Sequence, residues 1–169
     1  MEIKVMHAFT DELQAEWDTL LKSSPTNVPF LRFDYQKLWW QTRGGGEWEG
    51  GEPYLLLGYE KEKLIGIAPL FCVPFHGEHI LTFIGAKNIS DYLDFIVAKQ
   101  NAKSFSEAVL AHLTCDASHL WDKIIFSNVP ASSPLLPIFQ NKSSSDNFAC
   151  SIQELQSAPY LPLPKTWDA

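Results

Sequence analysis

The chain opens on a short extended segment, Ile3 to Ala8, and then changes its period from two to that of a helix. Leu13, Trp17, Leu20 and Leu21 fall at i, i+4, i+7 and i+8 and make one apolar stripe, while Glu12, Glu16, Asp18 and Lys22 lie off it. Thr10 offers a hydroxyl N-cap, Asp11 and Glu12 suit the positive end of the helix dipole, and Ser23-Ser24-Pro25 closes the element. After a loop from Thr26 to Phe30, helical spacing resumes at Leu31, Tyr35, Leu38, Trp39 and Thr42 until Gly44-Gly45-Gly46 stops it.

The pattern then turns to strands. Tyr54 to Tyr59, Leu64 to Val73 and His79 to Ile84 are separated by the polar turns Glu60 to Lys63 and Pro74 to Glu78, which predicts an antiparallel meander. The first two runs are apolar almost throughout rather than alternating, so both faces of the sheet must be covered. A strand at Leu93 to Val97, a helix at Ser104 to Thr114, a strand at Lys123 to Ser127 and a short helix at Ser132 to Gln140, interrupted by Pro137, follow. Extended structure at Phe148 to Gln156 comes after a polar connector, Lys142 to Asn147. No internal repeat is present. This order predicts a mixed α/β (α+β) fold with a central mixed, largely antiparallel sheet and helices on both faces.

At 169 residues, 46% hydrophobic and 13% aromatic, the chain suits a single core. Its formal charge is -7, and only Arg32 and Arg43 among its thirteen basic residues are arginines, so no cluster exists to displace counterions from phosphates. Nucleic acid is therefore not expected as a partner. Cys72, Cys115 and Cys150 are odd in number, far apart and without a CxxC pair, as reduced thiols are. The opening MEIKVMHAFTDELQ has no basic region followed by an apolar run, and no apolar stretch reaches the roughly 18 residues that a membrane span requires. A cytoplasmic protein with no membrane span is expected.

Several residues carry candidate chemistry. Asp91 and Asp94 near a strand end suit removal of a proton from an ammonium, with Tyr92 as general acid or hydrogen-bond partner; equally, both carboxylates suit backbone N–H groups in a turn. Trp39, Trp40, Trp48 and Arg43 can build an aromatic wall for a sugar or peptide. The alternative puts Trp39 in the core and Trp40 at the sheet edge, whereas Trp48, with no apolar neighbour in GGGEWEGGE, should be exposed or docked on a partner. His112, Cys115 and His119 share a helix face beside Asp116, but their spacing fits no zinc signature, and His76 and His79 read as hairpin surface; no metal is expected. Without a GxSxG elbow, a phosphate loop or a recognisable Cys-His signature, hydrolase and NTPase chemistry is not expected.

The element order resembles that of the GNAT N-acetyltransferases. More specific are Trp39-Trp40 after a Pro-Phe entry, Leu64-Ile-Gly-Ile-Ala-Pro-Leu70, Phe83-Ile-Gly85, Ser90-Asp-Tyr-Leu-Asp94 and Pro159-Tyr-Leu-Pro-Leu-Pro-Lys-Thr-Trp167. Together these resemble the N-terminal half of the tandem acetyltransferase family associated with cellulose-biosynthesis proteins, itself similar to the Fem-type peptidyltransferases. The resemblance covers nearly the whole chain. It implies that residues 1–169 form a single GNAT-like N-terminal domain whose partner is a following C-terminal GNAT-like domain.

In such enzymes a glycine-containing loop between the fourth strand and the next helix grips the CoA pyrophosphate. The matching segment here, Val97-Ala-Lys-Gln-Asn-Ala-Lys-Ser104, has no glycine, and none occurs after Gly85. Acetyl-CoA or another acyl-CoA is thus implied for the full-length protein and no cofactor for this domain. The implied function is acyl transfer from a CoA thioester to a small-molecule, sugar or peptide amine, with this domain contributing to the acceptor cleft. A non-catalytic binding or assembly module that has lost the CoA loop is the alternative. A bare interdomain face predicts an apolar patch at Tyr160 to Trp167 and a homodimer formed through it.

Overall fold

A computed structural model describes residues 1–46, 48–85, 88–143 and 148–158. Its strands are β1 (Glu2–Met6), β2 (Glu52–Glu60), β3 (Lys63–Phe75), β4 (Glu78–Phe83), β5 (Ile96–Val97) and β6 (Lys123–Ile125). The helices are α1 (Gln14–Ser23), α2 (Phe33–Gly46), α3 (Ala102–Ala111) and α4 (Leu135–Ser143). They follow the mixed order that the sequence pattern predicts.

β2 is central to an antiparallel meander, with Met6 opposite Leu55 on one side and Leu55 opposite Pro69 on the other. Its turns are built from left-handed residues, Lys61 and Glu62 in the first hairpin and His76 and Gly77 in the second. The long β3 is shared along its other edge: β4 pairs with its second half, and β5 pairs with Gly66 and Ile67. The chain therefore leaves the sheet at Ile84 and returns at Ile96. α3 then carries it over to β6, which lies parallel to β4. The sheet order is β1-β2-β3-β4-β6, with β5 on β3.

Side-chain alternation explains the layers. Phe71 points to one face, where Trp39, Trp40 and Trp48 lie within 5.5–5.7 Å of its ring, so α2 covers that side. Gly58 and Gly66, opposed in register, open the other face to Phe105 of α3. Phe95 meets Phe83, Phe105 and Phe139 at ring distances of 5.9, 5.6 and 6.3 Å, and this cluster joins the sheet to α3 and α4. Burying each such ring contributes about 1.5–3 kcal/mol.

Some local expectations shift. Thr10 is extended but makes no side-chain cap; the first turn is instead a tight one over Asp11–Leu13. α2 buries Phe33, Gln36, Trp39 and Trp40, whereas Leu38 is 60% exposed, because buried Gln36 interrupts the apolar spacing that the stripe was read from. Gln36 is admitted because its amide donates to the carbonyls of Phe30 and Ile84. The regular helix also ends earlier than the glycines, since Arg43 already takes φ +51°. Pro137 does not break α4: it sits in the first turn, where its missing N–H has no intrahelical partner to lose. Residues 148–158 join no ladder, and the predicted Tyr160 to Trp167 patch lies outside the described residues.

Candidate functional site

The pairing of β4 with β6 ends at Thr82 and Ile125, and beyond it the chain fills its own seam. The Leu93 N–H donates to the Asn128 carbonyl at 3.0 Å, and the Asn128 amide donates to the Ser90 carbonyl at 2.7 Å. Asp94 lies here, 3% exposed. It accepts from the Thr26 hydroxyl, the Ser133 hydroxyl and the Phe95 N–H, each at 2.8 Å. Burial pushes its carboxyl above the usual aspartate range, and these three donors pull it partly back. Asp94 thereby ties the loop between α1 and α2 to the segment before α4. Asp91, by contrast, is exposed, and Tyr92 between them adopts φ +56° and is 39% exposed. The turn that bends here separates the two carboxylates rather than joining them.

A second feature stands at the opposite edge of the sheet, on β1 and β2. Where β1 ends, the edge of β2 and the last turns of α2 enclose an open cleft of about 650 Å³. His7, Phe9, Lys37, Trp40, Arg43 and Glu52 line it. The Arg43 guanidinium lies 3.8 Å from the Trp40 ring centroid and donates to the Trp40 carbonyl, a pose that its left-handed backbone permits. Lys37 pairs with Asp11. The His7 Nδ1–H donates to the Pro53 carbonyl at 3.1 Å, so in the neutral ring Nε2 is the acceptor.

Of the residues named from sequence, Trp40 and Arg43 meet in this cleft. Trp39 does not: it is 4% exposed and packs toward Phe71 in the core. Trp48 is half-buried on Phe71 and Phe75, so the expectation of an exposed or partner-bound indole is corrected; the glycines around it fold it back onto its own sheet. His7 and Glu52 were not singled out from sequence. A lone histidine after a strand and one acid among twenty acidic residues carry no local signal.

One polar network lies outside both places. Tyr54 Oη meets His112 Nε2 at 2.9 Å, and His112 Nδ1 meets Asp116 at 3.2 Å. Burial first, then the charges of Asp116 and Cys72, raise the Tyr54 phenol. His112 thus serves a structural relay, and among the described residues no three His, Cys, Asp or Glu side chains gather as metal ligands. Cys72, Cys115 and Cys150 are free thiols. Among the described residues no helix is long and apolar enough to cross a membrane.

No family model and no curated protein matches this sequence. Solved structures do. The ribosomal-protein-alanine N-acetyltransferase of Brucella melitensis biovar Abortus is 18% identical with a TM-score of 0.54, over 95% of this chain and 100% of that one. An acetyltransferase of Trypanosoma brucei is 15% identical with a TM-score of 0.52, over 94% and 99%. The fold is that of the GNAT acetyltransferases. A transcriptional regulator of Bacillus halodurans, 12% identical with a TM-score of 0.53 over 93% and 99%, shares it.

Within this GNAT fold the segment matching the CoA loop joins β5 to α3. Ala98 and Ala102 are buried, at 6% and 2% exposure, and a tight turn over Lys99–Asn101 lies between them. None of residues 97–104 takes the left-handed conformation that a backbone nest for phosphate requires. Lys99 and Gln100 present side chains to solvent where a glycine would let a pyrophosphate meet the backbone.

Proposed function

We propose that this chain is the acceptor-shaping, N-terminal domain of an acyl-CoA-dependent N-acyltransferase, with the thioester held by a following GNAT-like domain. The observation that carries this reading is the pairing, on one acetyltransferase fold, of an open cleft walled by Trp40, Arg43, His7 and Glu52 with a cofactor turn that lacks a phosphate nest. A cleft of about 650 Å³ is the size that small ligands use. The aromatic wall read from Trp39, Trp40, Arg43 and Trp48 reduces in this reading to Trp40 and Arg43. Asp91 and Tyr92, exposed on the turn that Asp94 holds, do not line this cleft, so the reading assigns them no proton transfer from an amine bound there.

Thermal-shift titration tests the division of labour, because a ligand that binds only the folded state must raise its melting temperature. Millimolar acetyl-CoA is expected to leave the melting temperature unchanged, and an amine acceptor is expected to raise it in a manner that Trp40→Ala removes. A saturable rise with acetyl-CoA alone overturns the reading. The nest-free turn also favours a second reading, a binding module without catalysis. Acetyl transfer by the full-length gene product separates the two.

A further inference from the structure

The cleft's charges are arranged in a way that specifies more than an amine. Its two walls differ in chemistry. The helix wall carries Lys37, Trp40, Gln41 and Arg43 from α2, and the strand wall carries His7 and Glu52 from the ends of β1 and β2. Lys37 is already matched by Asp11. Arg43 and Glu52 have no ion pair with each other or with any described residue, although both line the same space. Arg43 spends one N–H on the Trp40 carbonyl, and its stacking on Trp40 fixes the plane of the guanidinium. The remaining N–H groups are a preorganised fork for a carboxylate or another flat oxyanion. Across from them, the Glu52 carboxylate and the His7 Nε2 lone pair are acceptors, which suits the N–H groups of an ammonium.

We propose that this cleft binds a dipolar ligand, an amine that also bears a carboxylate, with the carboxylate on Arg43 and the ammonium at Glu52 and His7. Two opposite charges without an ion pair among the described residues are each satisfied by such a molecule, whereas an ammonium without an acid group satisfies only Glu52. The Trp40 ring, 8% exposed, packs on Phe71 and lies under the guanidinium, so its part is to hold Arg43 in place at the cleft. The inference rests on reading the cleft as an acceptor site, and it narrows the acceptor to amino acids and peptides with free termini.

The test is a titration of the chain followed by the amide signals of Arg43 and Gly51, using glycylglycine, its N-acetyl form and its C-terminal amide as probes. Glycylglycine is expected to saturate the signals, and capping either end is expected to weaken binding by about tenfold, as loss of one charged hydrogen-bond partner does. Arg43→Met should abolish the difference between glycylglycine and its amide, and Arg43→Lys should restore part of it. Glu52→Gln should abolish the difference between glycylglycine and its N-acetyl form. Equal binding of all three probes, or no saturable change up to about 50 mM, overturns the inference. If glucosamine, an amine without an anionic group, binds the cleft equally well in wild type and Arg43→Met, the dipolar ligand is wrong and the acceptor reading stands. If glycylglycine binds as described but the full-length protein acylates no amine, the acceptor reading fails and the dipolar site stands.

Discussion

Gly66→Ala is the sharpest probe of how the two layers meet. Gly66 takes no left-handed φ, so alanine is acceptable to its backbone, and the penalty comes from space. A Cβ there would lie 2.4, 2.5 and 2.7 Å from three ring carbons of Phe105. Ordinary carbon contacts are about 3.5–4.0 Å, so the ring must retreat by roughly 1 Å or more. It has little room: Phe105 is fully buried and backed by Phe95 at 5.6 Å. Overpacking of this kind costs about 1–3 kcal/mol, against which loss of glycine's freedom in the unfolded chain returns about 0.4–1 kcal/mol. A net loss of about 1–2 kcal/mol is expected. Urea unfolding should show a lower midpoint at unchanged slope. Phe105→Ala alone should cost about 3–5 kcal/mol, and the double variant should cost less than the sum by about 1–3 kcal/mol, because the methyl then enters space the ring has left. A Gly66→Ala variant as stable as wild type, or an additive double variant, would refute the packing of α3 on this glycine.

Three further outcomes follow from the seam, the glycine loop and the tyrosine network. Asp94 has a folded-state pKa raised above 3.8 by burial, so the folded chain holds the proton more tightly than the unfolded chain. Its contribution is therefore greatest in acid and declines as pH rises through the raised value. Asp94→Asn should gain on wild type as pH rises above 3.8 in urea unfolding, and a difference that does not change with pH counts against this. Trp48→Ala should cost about 2 kcal/mol, a partial share of a fully buried indole, and should speed proteolysis between Arg43 and Glu52; no change in either would restore an indole that waits for a partner. In a spectrophotometric titration a late-ionising tyrosine fraction should appear above pH 10.0, and Tyr54→Phe should shrink it.

The layers were legible in sequence because their signals are local. The unbroken apolar runs of β2 and β3 announce cover on both faces, and the polar pairs at Glu60 to Lys63 and His76-Gly77 mark the hairpins. The register of α2 was not legible, since a buried glutamine bonded to the distant Ile84 carbonyl has no signature along the chain. For the same reason the fate of Trp48 was hidden: its neighbours in sequence are glycines and acids, and its neighbours in space, Phe71 and Phe75, come from β3. Trp40 and Arg43 could be paired by spacing on one helix, three residues apart. His7 and Glu52 enter the cleft only through the pairing of β1 with β2, a contact across more than forty residues.

Steady-state acyl transfer by the full-length gene product, compared with its Trp40→Ala and Arg43→Met variants, tests the central claim most directly. If this domain shapes the acceptor cleft and another holds the thioester, both variants raise KM for the amine and leave KM for acetyl-CoA unchanged. A rise in KM for acetyl-CoA, or no change in KM for the amine, would contradict it.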